Sequence, residues 1–463
     1  MDRVHQGVLD LLSEVGLSGA TDSMIRTLEK RGGFVDEYGF LRFPKSLVED
    51  AIAGFRRDLV LHGSVPGHEL DLSGTRVHMG SGGAAPEMID LDTGQYRPST
   101  LIDLYQCARV VNELENIHFF SRSVTARDMD TSLDLDVNTA YACLKGTSKH
   151  VASSVTVGDN VAEVVRLCHA IAGGKKAFDE RPFLSLNINH VVPPLRFSED
   201  SCDVMEQAAR LGLPFFVNSF DQAGASSPVS LLGSVVQCTA ECLAGMVFSW
   251  LVNPDCMAIF GPRPLVTDLR TGALTGGGGE HAVVTAAGSQ MGRYYDLPCS
   301  CIAGATDSKV PDAQSGFEKA LSITLAAHAG CNLITQASGM HAAMMGCSLE
   351  SYVIDNDMLG AVLRSVRGLE ASSQEFSTDN FRQVVHGEGH FLGLPETMAR
   401  MNTDFLYPEV SDRRTAAQWE EEGSPDIRET ANRQVREILN REPPAHLPEL
   451  VDKQLREEFR IFL

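Results

Sequence analysis

Positive charge is scarce in this sequence of 463 residues. It has 39 Lys and Arg against 61 Asp and Glu, which gives a formal net charge of −22 at pH 7. Because an acidic surface repels phosphate groups, we expect neither sequence-independent nucleic-acid binding nor binding to an anionic membrane. The composition, 43% hydrophobic and 22% charged, is typical of a globular protein and excludes disorder as the main state.

Membrane-spanning and secretory features are also lacking. There is no uninterrupted run of about 18 apolar residues that would predict a membrane span. The opening residues, Met1–Gln6, lack the basic stretch and apolar core of a secretory signal. The eleven cysteines are scattered and include no Cys-x-x-Cys pair. Such spacing is typical of reduced thiols, so the sequence predicts a cytoplasmic protein.

Motifs for the common cofactors and nucleophiles are missing. The glycine-rich segment 80–86 does not match the dinucleotide fingerprint GxGxxG, and neither HExxH nor GxSxG occurs. Cys299 and Cys301 stand close together in one predicted strand, but no His-x-Cys pattern followed by a distant Cys occurs in a strand-end loop, which does not suit a zinc site. We therefore expect no tightly bound metal, nicotinamide, flavin or pyridoxal phosphate.

The first 75 residues predict a small α+β segment. Apolar residues recur at helical spacing from Val4 to Val15. Further on, the alternating residues of 34–43 flank a glycine turn, which is typical of a hairpin. The residues from 371 to 463 differ again, because they are acidic and rich in helical patterns. They predict a C-terminal helical cap.

Eight short runs of apolar, β-branched or small residues alternate with helical patterns between residues 76 and 370. The runs are 77–81, 117–123, 150–155, 183–189, 215–220, 256–260, 299–304 and 333–339. Strands that alternate with helices of this length predict βα units and a parallel sheet. Eight such units favour an α/β fold of the (β/α)8 TIM-barrel type over an open, doubly wound sheet.

The predicted carboxyl ends of these strands are unusually polar, and in a barrel this end carries the site. Asn218, Gln222, Gln336 and His341 lie at such ends, and so do Thr306 to Lys309. The four glycines before Glu280 would let the backbone approach a ligand at a helix N-terminus. Ordinary hydrogen bonding at the strand ends remains the alternative for each of these residues.

Several ordered segments together resemble the trimethylamine methyltransferase superfamily. They are 11–16, 92–94, 97–100 with Asp103, 304–314, 329–334, 387–392 and 408–413 with Trp419. The resemblance implies a (β/α)8 barrel that passes a methyl group from a methylated amine to the cobalt of a separate corrinoid protein. The sequence departs from the family pattern at residues 394–397, where Leu-Pro-Glu-Thr stands near the place of the His-Thr pair that is usual in the family.

The sequence contains only ordinary residues and therefore resembles the branch without pyrrolysine, whose members demethylate quaternary amines such as glycine betaine. That branch implies that cobalamin is supplied by a cognate corrinoid partner protein and that the chain can form a homo-oligomer. Three alternatives stay open. The chain could act on trimethylamine or another methylamine, bind betaines without catalysis, or be a lyase that uses Lys309 as a Schiff base.

The resemblance and the chemistry of a quaternary ammonium together predict two groups of site residues. Aromatic faces and carboxylates would hold the cation, and amide or imidazole donors would hold a carboxylate on the same substrate. The predicted substrate-binding residues are Tyr96, Tyr141, Asn218, Phe220, Gln222, Glu280, Gln336 and His341, of which Glu280, Gln336 and His341 would also position the substrate. The residues predicted to face the corrinoid are Gly277, Gly278, Thr306, Asp307, Ser308 and Lys309.

Overall fold

A computed structural model describes residues 1–369, 371 and 378–463. Each of the eight predicted runs overlaps a strand. The strands are β1 (His78–Met79), β2 (Phe119–Ser121), β3 (His150–Ser153), β4 (Leu184–Asn189), β5 (Pro214–Ser219), β6 (Met257–Pro262), β7 (Ser300–Ile302) and β8 (Leu333–Thr335). The predicted mixed α/β fold is confirmed.

All the pairings between these eight strands are parallel. Strands β2 to β6 form one ladder in chain order, and β7, β8 and β1 form a second. Single bridges join the two ladders at Phe260–Cys299 and at Gly80–Phe119. The parallel pairing therefore passes through all eight strands and returns to the first.

At least one helix follows each of these strands. The helices are Leu101–Asn112, Ser132–Gly146, Gly158–Ala172, Lys175–Glu180, Glu199–Leu211, Leu231–Val252, Gly279–Tyr294, Ala313–His328 and Leu349–Arg367. Several begin at a residue whose side chain accepts a hydrogen bond from a free backbone N–H of the first turn, as Thr100, Asp312 and Ser348 do. Such caps fix where a helix starts and thus the length of the loop between strand and helix.

The helix Leu231–Val252 is long and apolar enough to cross a membrane by length and composition, with a mean hydropathy of 1.6. Gln237 and Glu241 interrupt its apolar residues, so the sequence has no uninterrupted apolar run here. In this structure 78% of its most apolar window is buried inside the protein. Its position is that of a core helix, against which the first helix, Asp2–Glu14, packs.

The N-terminal segment contains the predicted hairpin and one element that the sequence pattern did not indicate. Phe34–Val35 pairs antiparallel with Leu41–Arg42, and helices Asp2–Glu14, Asp22–Glu29 and Lys45–Gly54 surround this hairpin in sequence. A second hairpin joins Val60–Leu61 to Leu70–Asp71. Its buried leucines pack against inward-facing residues of five parallel strands, namely Phe119, Ala152, Phe216, Ile259 and Leu333. The second hairpin therefore closes the amino end of the strand ring.

Two small sheets flank the carboxyl ends of the parallel strands. One contains Glu87–Ile89, Tyr96–Pro98, Met340–His341 and Gly346–Ser348, and the other contains Gln222–Ala223, Leu265–Asp268 and Ala273–Thr275. The sequence pattern indicates neither, because their strands lie outside the eight runs that alternate with helical patterns.

The described part of the C-terminal segment contains five helices. Its helices are Asp379–Val385, Pro395–Arg400, Ala416–Glu421, Ile427–Asn440 and Glu449–Glu458. Helix Ile427–Asn440 packs on Leu349–Arg367, and Asp357 of the latter accepts hydrogen bonds from the backbone N–H groups of Glu409, Val410 and Ser411. The proposed boundaries, 1–75, 76–370 and 371–463, stay a prediction, and residue 370 lies outside the described residues.

Candidate functional site

A cavity of about 550 Å³ lies at the carboxyl ends of the parallel strands. Its walls come from segments that follow seven of the eight strands and from the end of the remaining one, β7. The lining residues are Gly83, Ala84, Pro86, Ser121, Arg122, Ser154, Asn187, Asn189, Val191, Val192, Pro193, Phe220, Arg263, Leu274, Ile302, Thr335, Gln336, Ala343, Met344 and Met345. We call it the mouth cavity. It is where parallel α/β folds place their ligands.

Two arginines give the mouth cavity its charge. Arg263 follows β6 and is only 6% exposed. Its Nη2 donates to Asn187 Oδ1 at 3.3 Å, and its Nε has no hydrogen-bond partner. Burial lowers the pKa of Arg263 to about 10, so the guanidinium is still a cation at pH 7. The charge is therefore held inside the protein with only a neutral amide as its side-chain partner.

Arg122 directly follows β2 in the same lining. Its backbone N–H donates to the carbonyl of Ala152 at 2.9 Å. Its guanidinium forms no hydrogen bond or ion pair with any residue that the structure describes, and its buried Nε is without a partner. Burial lowers its pKa, and the nearby carboxylate of Asp136 acts in the opposite direction. Because no Asp or Glu occurs among the described lining residues, the cavity has a net positive charge.

Both arginines were missing from the residues predicted from the sequence. Each stands directly after an apolar strand run, in Phe-Phe-Ser-Arg and Ile-Phe-Gly-Pro-Arg. A long charged side chain at that point in a parallel strand is a usable signal, because the strand's carboxyl end faces the site.

Strained backbone surrounds the same cavity. Ala84, Gln336, Ala343 and Met344 all line it and all have positive φ, at 50°, 62°, 50° and 74°. Non-glycine residues seldom adopt this conformation, and such strain concentrates at binding sites. Gln336 also has a buried Oε1 without a hydrogen-bond partner. The lining is thus held in a shape that costs energy, which is expected of a site built for a ligand.

Phe220 and Gln336 are the predicted substrate-binding residues that line the mouth cavity. Asn218 is fully buried in β5, where neither amide atom has a hydrogen-bond partner. It pairs in register with Gly261, and a Cβ atom at that glycine would lie 2.2 Å from Asn218 Oδ1. Asn218 thus occupies the interior of the strand ring, outside the lining.

The other predicted polar donors lie outside the lining. Gln222 forms a turn in which its carbonyl accepts from the N–H groups of residues 225–227. His341 is buried, and its Nε2 lies 2.5 Å from Ser351 Oγ. Burial lowers the pKa of His341, so the ring is neutral at pH 7. Neither residue therefore lines the mouth cavity with Gln336.

The two predicted tyrosines serve other parts of the molecule. The Tyr96 hydroxyl donates to the carbonyl of Lys309 at 2.6 Å, and burial raises its pKa to about 12. Tyr141 is buried in helix Ser132–Gly146, and its hydroxyl donates to Asp452 of the last helix. Lys145 forms an ion pair with the same carboxylate at 2.8 Å. Tyr141 thus fastens the C-terminal helix to the rest of the protein.

The glycine loop before Glu280 faces a different depression. Glu280 is exposed and lines a separate cavity of about 430 Å³ beside Asp268 and Arg270. Gly278 caps the helix Gly279–Tyr294. The structure therefore does not place Glu280 in the mouth cavity, and a role for it in binding the substrate remains only a prediction.

Asp307, one of the residues predicted to face a corrinoid, holds this loop in place. The carboxylate of Asp307 accepts from the N–H groups of Gly276 and Gly277, at 2.8 and 3.2 Å. Thr306 Oγ1 donates to Glu318 Oε2 at 2.5 Å. Two further hydrogen bonds stay within the segment, from Ser308 Oγ to Asp312 at 2.8 Å and from Lys309 Nζ to the Asp307 carbonyl at 2.6 Å. Contact with a corrinoid stays a prediction for all of them.

Metal ligands are not clustered in the part of the chain that the structure describes. No group of three or more His, Cys, Asp or Glu there could hold a metal ion. All eleven cysteines are free and buried. Burial raises the pKa of Cys143 and of Cys256 to about 12, which keeps these thiols protonated.

Comparison with known proteins gives relatives along almost the whole chain. A trimethylamine methyltransferase of Desulfitobacterium hafniense (strain DSM 10664 / DCB-2) is 29% identical over 454 residues, or 98% of this chain and 90% of the relative. A glycine betaine methyltransferase of Desulfitobacterium hafniense (strain Y51) is 26% identical over 452 residues, or 97% and 93%. Among solved structures, a dihydropteroate synthase of Xanthomonas albilineans is 11% identical and covers 67% of this chain and 99% of its own, with a TM-score of 0.41. A TM-score this low does not establish a common fold.

A family model described as trimethylamine methyltransferase matches residues 1–460. The match spans the N-terminal segment, the strand ring with its mouth cavity, and the C-terminal helices. The chain therefore belongs to the trimethylamine methyltransferase family.

Proposed function

We propose that this protein transfers a methyl group from a quaternary amine to the cobalt of a corrinoid carried by a separate protein. The eight parallel strands would form a closed (β/α)8 barrel, and the reaction would take place in the mouth cavity. The family membership supports methyl transfer from a methylated amine. The choice of a quaternary amine rests on the chemistry of the cavity lining.

The observation that carries this choice is the lack of an acid or base in the cavity. Among its described lining residues there is no Asp, Glu, His, Lys, Cys or Tyr. A quaternary nitrogen that loses a methyl group leaves as a neutral amine and needs no proton. Unprotonated trimethylamine would leave as an amide anion, which requires activation that this lining does not offer. The lining therefore favours the quaternary substrate.

The relatives do not separate the two substrates by identity, because a trimethylamine enzyme and a glycine betaine enzyme are 29% and 26% identical to this chain. The sequence contains ordinary residues only, which agrees with the branch that acts on quaternary amines. Phe220 is the single aromatic residue in the described lining, and its ring can face a trimethylammonium group.

The lining also agrees with a corrinoid held by another protein. It offers no His, Cys or carboxylate ligand for cobalt among the described residues. When bound, the corrinoid supplies a nucleophilic metal that accepts the methyl group. This chain would bind the amine, orient its methyl group and exclude water. We place the protein in the cytoplasm, because its eleven buried thiols are free.

The test is a methyl-transfer assay with purified protein and free cob(I)alamin. The panel contains glycine betaine, proline betaine, carnitine, choline and trimethylamine, and formation of methylcobalamin is followed by absorbance. We expect at least one quaternary amine to react faster than trimethylamine. Faster turnover of trimethylamine would contradict the substrate assignment. Betaine binding without any methylcobalamin would instead support a binding protein.

A further inference from the structure

We propose that Arg263, assisted by Arg122, binds a carboxylate of the substrate, so that the ligand of the mouth cavity is a zwitterion with a cationic head and an anionic end. The proposal rests on the proposed function only for the quaternary head. The carboxylate end is argued from the two arginines and is tested by equilibrium binding without a corrinoid.

Arg263 is a buried cation without a counter-ion. Its side chain is only 6% exposed, and it forms no ion pair with any residue in the described ranges. The nearby groups that influence the pKa of Arg263 are four cysteine thiols, those of Cys238, Cys242, Cys301 and Cys331, and no carboxylate is among them. Burial raises the pKa of Cys238 and Cys331, so these two thiols are neutral at pH 7. A buried charge that no residue neutralises is unfavourable, which points to an anion supplied by a ligand.

Uncharged groups hold Arg263 in position, so its positive charge is not neutralised. Its backbone N–H donates to the carbonyl of Ser219 at 3.0 Å and approaches Cys238 Sγ at 3.1 Å. Asn187 accepts one guanidinium N–H, and its own Nδ2 donates to Ser121 Oγ at 3.0 Å. The guanidinium therefore belongs to a fixed network and still has donors free for a ligand.

Arg122 adds a second set of free donors to the same lining. The nearest acidic group that acts on it is Asp136. One oxygen of that carboxylate already accepts hydrogen bonds from Thr156 and from Asn160 Nδ2, the latter at 2.7 Å. No direct ion pair forms, so the Arg122 guanidinium keeps all its donors for a ligand.

A carboxylate fits these donors better than a further cation would. A guanidinium presents two parallel N–H groups to the two oxygens of a carboxylate. With two arginines and no described acidic residue in the lining, a quaternary amine without an anionic end would be repelled. Phe220 would face the ammonium group of the same molecule. The phosphate of a corrinoid nucleotide is another anion of suitable charge, and the experiment separates it from the substrate.

The experiment compares glycine betaine with choline, in which a hydroxymethyl group replaces the carboxylate, by titration calorimetry without a corrinoid. Proline betaine and carnitine extend the carboxylate series. We expect at least one of these betaines to bind ten or more times tighter than choline. Arg263→Gln should weaken binding of that betaine at least tenfold, about 1.4 kcal/mol, and remove the preference over choline. Arg263→Lys should restore part of the affinity.

Arg270→Gln is the matched control, because Arg270 is exposed beside the separate cavity of Glu280 and pairs with Asp268 at 2.8 Å. It should leave betaine affinity unchanged. Circular dichroism and Tm verify that each variant is folded, and Arg122→Gln replaces Arg263→Gln if the latter does not fold. Equal binding of choline and every betaine by the wild-type protein would overturn the proposal, as would an unchanged betaine affinity in folded Arg263→Gln.

The outcomes also separate this proposal from the proposed function. Arginine-dependent betaine binding without methyl transfer would contradict only the reaction. Methyl transfer from quaternary amines that is independent of both arginines would contradict only the carboxylate site. An Arg263→Gln variant that binds betaine normally but no longer reacts with a corrinoid protein would assign the arginine to the corrinoid phosphate and overturn the carboxylate site.

Discussion

The two ends of the strand ring differ sharply, although the same strands build both. At the amino end, Phe119, Phe216 and Leu333 point inward and pack with the leucines of the hairpin Val60–Leu61 and Leu70–Asp71. Two residues further along the same strands stand Ser121, Asn218 and Thr335. Because side chains alternate along a strand, residues two apart share a face. The interior therefore changes from an apolar core to a polar chamber within about 7 Å.

This difference separates stability from function. The amino end has the close packing that stabilises a fold. The carboxyl end keeps unpartnered polar atoms on Asn218, Arg263 and Gln336, which weaken a fold unless a ligand satisfies them. Substitutions at the two ends should therefore affect different measurements.

The largest expected effect comes from Phe216→Ala at the amino end. The ring is fully buried, and its removal leaves a cavity in the apolar layer. We expect the free energy of unfolding to fall by about 3–5 kcal/mol, measured by urea denaturation. Ser300→Ala, beside Gly261 and Asn218 in the polar part of the strand interior, removes a buried hydroxyl without a hydrogen-bond partner and should cost little stability. Equal losses in the two variants would contradict the division between the ends.

The second prediction concerns Asp221, which is buried directly beyond β5. Burial raises its pKa to about 7, and buried Glu241 adds to the shift. The folded state therefore binds a proton between about pH 4 and pH 7 that the unfolded state releases, so stability falls as the pH rises through this window. In the wild type the free energy of unfolding should therefore be lower at pH 8 than at pH 5. Asp221→Asn should reduce this difference by on the order of 2 kcal/mol, measured by urea denaturation at the two pH values. A pH dependence identical to that of the wild type would contradict the assignment.

The third prediction uses Arg263→Met, which removes the charge and keeps much of the volume. If the buried cation serves only to bind the ligand, the free energy of unfolding should stay the same or rise by about 1 kcal/mol. The reason is that the variant no longer has to bury a charge that no residue neutralises. At the same time kcat/KM for a betaine should fall at least tenfold, by about 1.4 kcal/mol. Thermal melting without substrate and methylcobalamin formation measure the two effects. A large loss of stability would assign Arg263 to the fold instead.

The smallest effect is expected for Glu280→Gln. If Glu280 faced the ammonium group, kcat/KM would fall by about tenfold. The carboxylate instead is exposed and lines a depression beside Asp268 and Arg270. We therefore expect kcat/KM for betaines to change by less than about twofold in the same assay. A tenfold fall would return the glycine loop to the substrate site.

Local patterns predict the elements of the fold well. All eight strand runs and the helix 427–440 follow from periodicity, because the positions of buried side chains repeat along each element. The hairpin at 60–71 and the two small sheets lie outside the eight runs, so the alternation of these runs with helical patterns does not predict them. Each small sheet also contains one pairing between distant segments, Gly346–Ser348 with Glu87–Ile89 and Gln222–Ala223 with Leu265–Asp268.

The candidate site was less predictable than the fold. Phe220 and Gln336 could be placed at strand ends from the sequence, and both line the mouth cavity. Tyr141, by contrast, has the aromatic ring that a quaternary ammonium requires, yet its hydroxyl is used to hold Asp452, more than 300 residues away. Residue type indicates what a side chain can bind, and only packing decides what it meets.

The sequence by itself determined the order of strands and helices and the polar character of the strand ends, because both follow from residue spacing along the chain. Only the tertiary structure decided that Arg122 and Arg263, 141 positions apart in the numbering, line one cavity without a counter-ion. The physical reason is that a charge is satisfied or left unpaired by its neighbours in space. Those neighbours come from different strands, brought together when the strand ring forms.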